Sequence, residues 1–259
     1  MTAERLLILG GTAEAAALAR RAAIRFGDAL QVTSSLAGRT ERPGPLPGRI
    51  RIGGFGGPPG LAAYLTEQGI DRLIDATHPF ASRISAEARL ACEQAGVPRL
   101  MVLRPPWRRH PLDRWIEVDS MGAAAAIVGR VGRHALLTVG GSEIACFAGA
   151  TGVRFLVRLV DPPRQRLPLR FYEVVIGRGP FTLAEERYRI ERHAIDVLVC
   201  KASGGAATEA KIIAARELSL PVIMVRRPLS EPGEAVETID AALDWLAGSH
   251  PFPEAKRVS

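Results

Sequence analysis

The chain has 259 residues, 47% hydrophobic and 24% charged, with 34 basic against 27 acidic residues for a net charge of +7. These proportions are those of an ordinary globular protein, long enough to bury one large α/β core or two modest ones without disulfides. Basic charge can serve nucleic acid, a membrane surface or an anionic small molecule, but the arginines are scattered and no basic stripe interleaved with aromatics occurs among the three tyrosines, which speaks against nucleic acid.

Cys92, Cys146 and Cys200 are odd in number and far apart, and none stands in a C-x-x-C pair or at ligand spacing from a histidine. The pattern predicts buried thiols in a reducing compartment and no metal site. Glu4 and Arg5 follow closely on Met1, and a short apolar run then ends in Gly10-Gly11, which reads as strand and turn rather than a signal peptide. No stretch approaches the roughly 18–20 apolar residues of a membrane span. A soluble cytoplasmic protein without membrane partners is expected.

In chain order, Arg5–Leu9 is a strand, Thr12–Phe26 a helix and Leu30–Ser34 a second strand before the Gly/Pro-rich loop Gly38–Gly48. Arg49–Ile52 is a short strand, Leu61–Gln68 a helix ended by Gly69, and Arg72–Asp75 a strand. Ala81–Ala95 is a helix stopped by Gly96, and Arg99–Leu103 a strand. The segment Arg104–Trp115, with Pro105-Pro106 in tandem, reads as a domain boundary or an ordered lid loop. Met121–Val131 is then helix, Ala135–Val139, Val153–Val160 and Glu173–Ile176 strands, and Thr182–Arg192 helix. Ile195–Cys200 is strand, Thr208–Leu218 helix, Val222–Val225 strand and Ala235–Leu246 a final helix. Strands alternating with helices imply βαβ units, parallel sheets and right-handed crossovers. The expected architecture is α/β, with two Rossmann-like lobes and an active-site cleft between them. The expected domains are 1–110 and 111–249, with a flexible tail over 250–259.

Chemistry is expected at four strand ends. Leu6-Leu7-Ile8-Leu9 runs into Gly10-Gly11-Thr12, where glycines let a phosphate approach the N–H groups of the helix start. Thr12 can cap that helix or donate its hydroxyl to the phosphate, although a plain tight turn would look similar. The second strand ends through Thr33-Ser34-Ser35-Leu36-Ala37-Gly38-Arg39-Thr40, with no carboxylate before Glu41. Hydroxyls and an arginine suit a ribose 2′-phosphate, hence NADPH over NADH, the alternative being a solvated arginine. Asp75-Ala76-Thr77-His78-Pro79 sits at another strand's carboxyl end, where His78 can contact a ligand, relay a proton or simply face solvent. Thr138-Val139-Gly140-Gly141-Ser142 is a further strand-to-glycine turn. Lys201-Ala202-Ser203-Gly204-Gly205 can present backbone donors and an ammonium to carboxylates. No tyrosine has a lysine four residues later, and there is no Walker loop, nucleophile elbow or H-E-x-x-H.

Together, Gly10-Gly11-Thr12-Ala13-Glu14-Ala15, Asp75-Ala76-Thr77-His78-Pro79-Phe80-Ala81, Thr138-Val139-Gly140-Gly141, Lys201-Ala202-Ser203-Gly204-Gly205 with Thr208-Glu209-Ala210-Lys211, and Pro221–Pro228 resemble the motifs of the precorrin-6A reductase family. The resemblance spans residue 5 to about 228, and departs from the pattern at Ala202, where asparagine is expected. It implies an enzyme of cobalamin biosynthesis that reduces a double bond of precorrin-6A with NADPH to give precorrin-6B. The substrate is then a tetrapyrrole rich in carboxylates. On that reading Gly10, Gly11, Thr12, Ser34, Ser35 and Arg39 hold the cofactor, and Thr77 and His78 line its nicotinamide side. Gly140, Gly141, Ser142, Lys201, Ser203, Gly204, Arg226 and Arg227 face the substrate, and Lys201 or His78 is the candidate proton donor, with solvent as the alternative. Rival readings are a cobalt-precorrin-6A reductase, a non-catalytic dinucleotide-sensing regulator and a sugar-nucleotide transferase.

Overall fold

The computed structural model describes residues 3–38 and 44–248. The chain divides into two compact units, one of the described residues up to Arg104 and from Leu229 onward, the other Pro105–Pro228. The first opens with β1 (Glu4–Leu9), α1 (Ala13–Phe26), β2 (Leu30–Leu36), β3 (Arg49–Ile52) and α2 (Gly57–Glu67). It continues through β4 (Arg72–Asp75), α3 (Ser82–Ala95) and β5 (Arg99–Val102). The second holds β6 (Arg114–Val118), α4 (Met121–Val131), β7 (His134–Leu137), β8 (Arg154–Leu159) and β9 (Tyr172–Ile176). After these come α5 (Leu183–Arg192), β10 (Val197–Lys201), α6 (Ala210–Glu217) and β11 (Pro221–Val225). The chain then returns to the first unit as β12 (Ala235–Val236) and α7 (Ile239–Leu246).

Each unit is built on a six-stranded sheet, in the order β12-β5-β4-β1-β2-β3 and β6-β11-β10-β7-β8-β9. Every pairing in both is parallel. The reason is legible in β1, whose Leu6-Leu7-Ile8-Leu9 is apolar on both faces, as a strand covered on both sides must be. Leu6 and Ile8 pack with α1 and α7 through Leu18, Ala22 and Leu243. Leu7 and Leu9 pack on the opposite face with α2 and α3 through Leu61, Leu65 and Ala88. In the second unit Leu136, Leu198 and Cys200 form the corresponding core with Ile190, Ile212 and Met224.

Three sequence expectations change. The anticipated boundary at 110/111 falls instead at Arg104/Pro105, and the chain crosses again at Pro228/Leu229, because β12 pairs with β5 and α7 packs on α1. The anticipated domain end at 249 is therefore replaced, and the tail over 250–259 lies outside the described residues. Arg104–Trp115 does not stand as a lid: Trp107 is buried in the second unit's core, Asp113 is buried against Arg216, and Arg114 begins β6. The final helix starts at Ile239 rather than Ala235, because Thr238 accepts a hydrogen bond from the Ala241 N–H and caps it there. No helix among the described residues is long and apolar enough to cross a membrane.

The second unit also encloses an ion pair. Arg158 of β8 donates to Glu186 of α5 at 2.6 Å, with both side chains buried, and Arg189 reaches the other carboxylate oxygen at 3.3 Å. Both guanidinium groups also lie over the Phe181 ring, 4.3 and 5.1 Å from its centroid. Burial pulls the Arg158 pKa below the ordinary arginine value, and Glu186 opposes that shift. Removing one partner strands a buried charge. Glu186→Ala is therefore expected to cost about 3–5 kcal/mol, read as a lowered denaturation midpoint.

Candidate functional site

In each sheet the strand order reverses at one place, and there the loops leaving adjacent carboxyl ends diverge and leave room for a ligand. In the first unit that place lies between β1 and β4. The Gly10–Thr12 turn leaves β1 and the Ala76–His78 turn leaves β4. They are tied by Ala76 N–H to the Leu9 carbonyl at 3.0 Å and by the Thr12 hydroxyl to the Ala76 carbonyl at 2.7 Å. Gly11 has φ +98°, a conformation that favours glycine, and no heavy atom lies within 4 Å of where its Cβ would stand. The space above the turn is open.

Thr12 is the N-cap of α1, accepting from the Ala15 N–H at 3.0 Å. Its hydroxyl proton goes to Ala76, so of the two roles the sequence allowed, the geometry realises capping. The anion-binding capacity of this turn resides in the backbone N–H groups of the first helical turn. Glu14 in that turn is paired with Arg104 at 3.1 Å, which offsets its negative charge beside the helix start.

Ser34 and Ser35 lie inside β2, which runs on to Leu36, at 3% and 6% exposure. The Ser35 carbonyl accepts from the Gly10 N–H, and the Ser34 hydroxyl is buried with no hydrogen-bond partner among the described residues. Arg39 lies outside the described residues. Thr77 gives its hydroxyl to the buried Asp75 carboxylate at 2.7 Å, and its N–H reaches the same oxygen at 3.1 Å. His78 Nδ1 accepts from the Phe80 N–H at 3.2 Å, which puts the proton of the neutral ring on Nε2.

The second unit reverses between β7 and β10. Here the two strand ends are joined by charge. Lys201, the last residue of β10, donates to both carboxylate oxygens of Glu143 at 2.8 and 2.9 Å. One of those oxygens also accepts from the Gly140 N–H at 2.9 Å. Gly140 and Lys201 thus form one hydrogen-bonded group around Glu143, and Gly141 and Ser142 stand exposed beside it in the chain. Sequence reading passed over this glutamate. Its signal was an acid three residues after Gly140, the position from which a side chain reaches back to the start of a helical turn.

The Ser203–Gly205 loop is braced through its carbonyls. Arg227 donates to the Ala202 and Ser203 carbonyls at 3.3 and 2.7 Å, and the Trp107 indole donates to Gly205 at 2.9 Å. The Gly205 N–H reaches the Pro105 carbonyl at 3.2 Å. Lys211 is buried with its ammonium 4.8 Å from the Trp107 ring. Arg227 therefore acts on the loop's backbone, whereas Arg226 is exposed and pairs with Asp119 at 2.7 Å. Trp107 is the second residue the sequence reading missed; an apolar indole after tandem prolines in a charged stretch was the clue. Burial pushes the Cys200 thiol, next to Lys201, up to about 11, so it is not a nucleophile. Among the described residues no cluster of His, Cys, Asp or Glu could hold a metal ion.

The family described as Precorrin-6x reductase CbiJ/CobK matches residues 5–247. The precorrin-6A reductase of Rhodobacter capsulatus is 42% identical over 243 residues, covering 94% of this chain and 96% of its own. The cobalt-precorrin-6A reductase of Salmonella typhimurium is 28% identical over 239 residues, covering 86% and 87%. A solved structure of CobK precorrin-6A reductase superimposes with a TM-score of 0.90 at 41% identity, covering 97% of this chain and 99% of that one.

Gly204 has φ +65°, and a Cβ there would stand 2.2 Å from the Pro105 carbonyl oxygen. Gly204→Ala is expected to displace the Pro105–Trp107 segment and cost about 1–3 kcal/mol. The measurement is a denaturation curve together with a red shift in tryptophan emission as the Trp107 indole loses its burial.

Proposed function

The chain belongs to the precorrin-6x reductase family CbiJ/CobK, and from that membership we propose that it reduces a double bond of the precorrin-6A macrocycle with NADPH, yielding precorrin-6B in cobalamin biosynthesis. The observation that carries the reading is 42% identity to a precorrin-6A reductase across 94% of the chain, which takes in both strand-order reversals. The lower identity to the cobalt-precorrin enzyme, 28%, favours the metal-free macrocycle as substrate.

The first unit's turn suits a dinucleotide. Open space over Gly11, the unpaired amides of a helix start and a compensated Glu14 are what a diphosphate requires. Gly10, Gly11 and Thr12 would hold it through the backbone, with Arg39 on the 2′-phosphate and Thr77 and His78 on the nicotinamide side. Ser34 and Ser35 lie buried in β2 beside this turn, and the Ser35 carbonyl fixes Gly10. When bound, NADPH supplies the hydride.

On the substrate side we assign Gly140, Gly141, Ser142, Lys201, Ser203, Gly204 and Arg226 to the carboxylate arms, with Arg227 shaping the loop they share. Lys201 and His78 carry the transferable protons nearest these turns: an ammonium held by Glu143, and an imidazole whose proton sits on Nε2. Holding cofactor and macrocycle in register and excluding water is the chain's main contribution, an effect of roughly 7–11 kcal/mol at best.

Incubation of the protein with precorrin-6A and NADPH is expected to deplete the NADPH absorbance as the macrocycle spectrum changes; two unchanged spectra would refute the reductase reading. Arg39→Ala is expected to weaken NADPH binding about tenfold or more while leaving NADH binding nearly unchanged, measured by titration calorimetry. Equal losses for both nucleotides would remove Arg39 from the 2′-phosphate.

A further inference from the structure

The candidate substrate residues of the second unit lie at the carboxyl ends of its strands; the amino ends carry a different concentration of charge. His134 of β7 stands in register with Arg154 of β8, and Phe155 with Tyr172 of β9. Two depressions of about 420 and 520 Å³ open along this edge, and both are lined by Arg154 and Glu173. Arg166 and Arg170 line the larger one, and Arg192 the smaller. Among the described residues none of these four arginines has a carboxylate partner. The nearby acids are already engaged. Glu173 meets His193 at 3.3 Å, and Asp196 accepts from the backbone N–H groups of Arg133 and His134 at 2.9–3.0 Å.

The arginines are also held in place from below. Arg166 and Arg170 flank Leu167-Pro168-Leu169, in which both leucines are buried, so the segment is pinned and the two charged side chains start from a fixed backbone. Pro162, Pro163 and Pro168 each lock φ along the connection from β8 to β9. The Leu167 N–H donates to the Tyr172 hydroxyl oxygen at 3.3 Å, closing the turn on itself. Phe171 is half exposed at the rim, with the Arg170 guanidinium 5.3 Å from its ring. Arg192 is in the last turn of α5, where it also offsets the helix dipole, so Arg154, Arg166 and Arg170 carry the recognition.

We propose that this edge is a second anion site, distinct from the candidate reductase site, for a small multiply charged molecule bearing carboxylate or phosphate groups. Three exposed guanidinium groups that line one depression, where the one lining carboxylate, Glu173, meets His193, repel one another. Each presents a planar fork matched to a carboxylate or phosphate, and a bound polyanion relieves the repulsion at little ordering cost because the segment is already anchored. The inference does not depend on the reductase reading, since it concerns binding alone.

The test is titration of the full chain at low salt with citrate and with inorganic pyrophosphate, followed by backbone amide NMR shifts. Saturable shifts are expected at Arg154, Phe155 and residues 166–173, with affinity falling roughly tenfold in the R166Q/R170Q double variant and unchanged in R187Q, an exposed arginine elsewhere in the unit. A stronger response to citrate assigns a polycarboxylate, and a stronger response to pyrophosphate a phosphate compound. Shifts confined to residues 10–14, 138–143 or 201–205, or equal losses in the two variants, would overturn the proposal.

Discussion

A parallel strand buried on both faces can receive its crossovers from either side, and in each unit the central strand is where the direction of winding reverses. Around β1 the chain winds toward β3 in one direction and toward β12 in the other; around β7 it winds toward β9 and toward β6. At that reversal the loops from adjacent carboxyl ends part, since their helices lie on opposite faces of the sheet. The protein's candidate chemistry depends on this constraint. Without Leu6-Leu7-Ile8-Leu9 buried on both sides, β1 would not hold the centre, and Gly10–Thr12 would have no opening above it.

The two reversals are secured by different physics. In the first unit hydroxyl and amide donors do the work: the Thr12 hydroxyl to the Ala76 carbonyl, the Gly10 amide to the Ser35 carbonyl, and Thr77 to the Asp75 carboxylate. The amides at the start of α1 and the dipole behind them then set the local electrostatics, which suits an anionic cofactor. In the second unit an ammonium and a carboxylate bridge β10 and the turn after β7. Lys201 is thereby held at a fixed point beside the turn that follows β7.

The excess of arginine resolves into separate populations. Some brace the fold, as Arg158 does against Glu186, Arg216 against Asp113 and Arg72 against Glu4. Others support loops through carbonyls, as Arg227 does at Ala202 and Ser203 and Arg51 at Gly53 and Gly54. The remainder without a carboxylate includes the group at the amino edge of β8 and β9. Net charge alone says nothing about this division, because a paired and an unpaired guanidinium count equally.

Much of the architecture was legible in the sequence. The doubly apolar β1, the strand–helix alternation, the glycines after β1 and β7 and the small-residue loop after β10 all follow from local patterns of one or two turns, which is the range over which periodicity and turn chemistry act. What the sequence left open required contacts between distant residues. The return of β12 and α7 to the first sheet depends on pairing with β5 and packing on α1, more than a hundred residues earlier. Ser34 looks like the last residue of its strand and Ser35 like a loop hydroxyl until β3 pairs alongside them and draws β2 out to Leu36. The hydroxyl of Thr12 has two chemically sensible uses, and only the arrival of Ala76 beside it decides between them. Glu143 and Lys201 are 58 residues apart, and only the adjacency of β7 and β10 makes them a pair. The sequence by itself thus determined which strand ends carry glycine, hydroxyl and lysine turns, because those residues act on their immediate neighbours; the tertiary structure alone decided what each of those groups is bonded to, because partners are set by strand order.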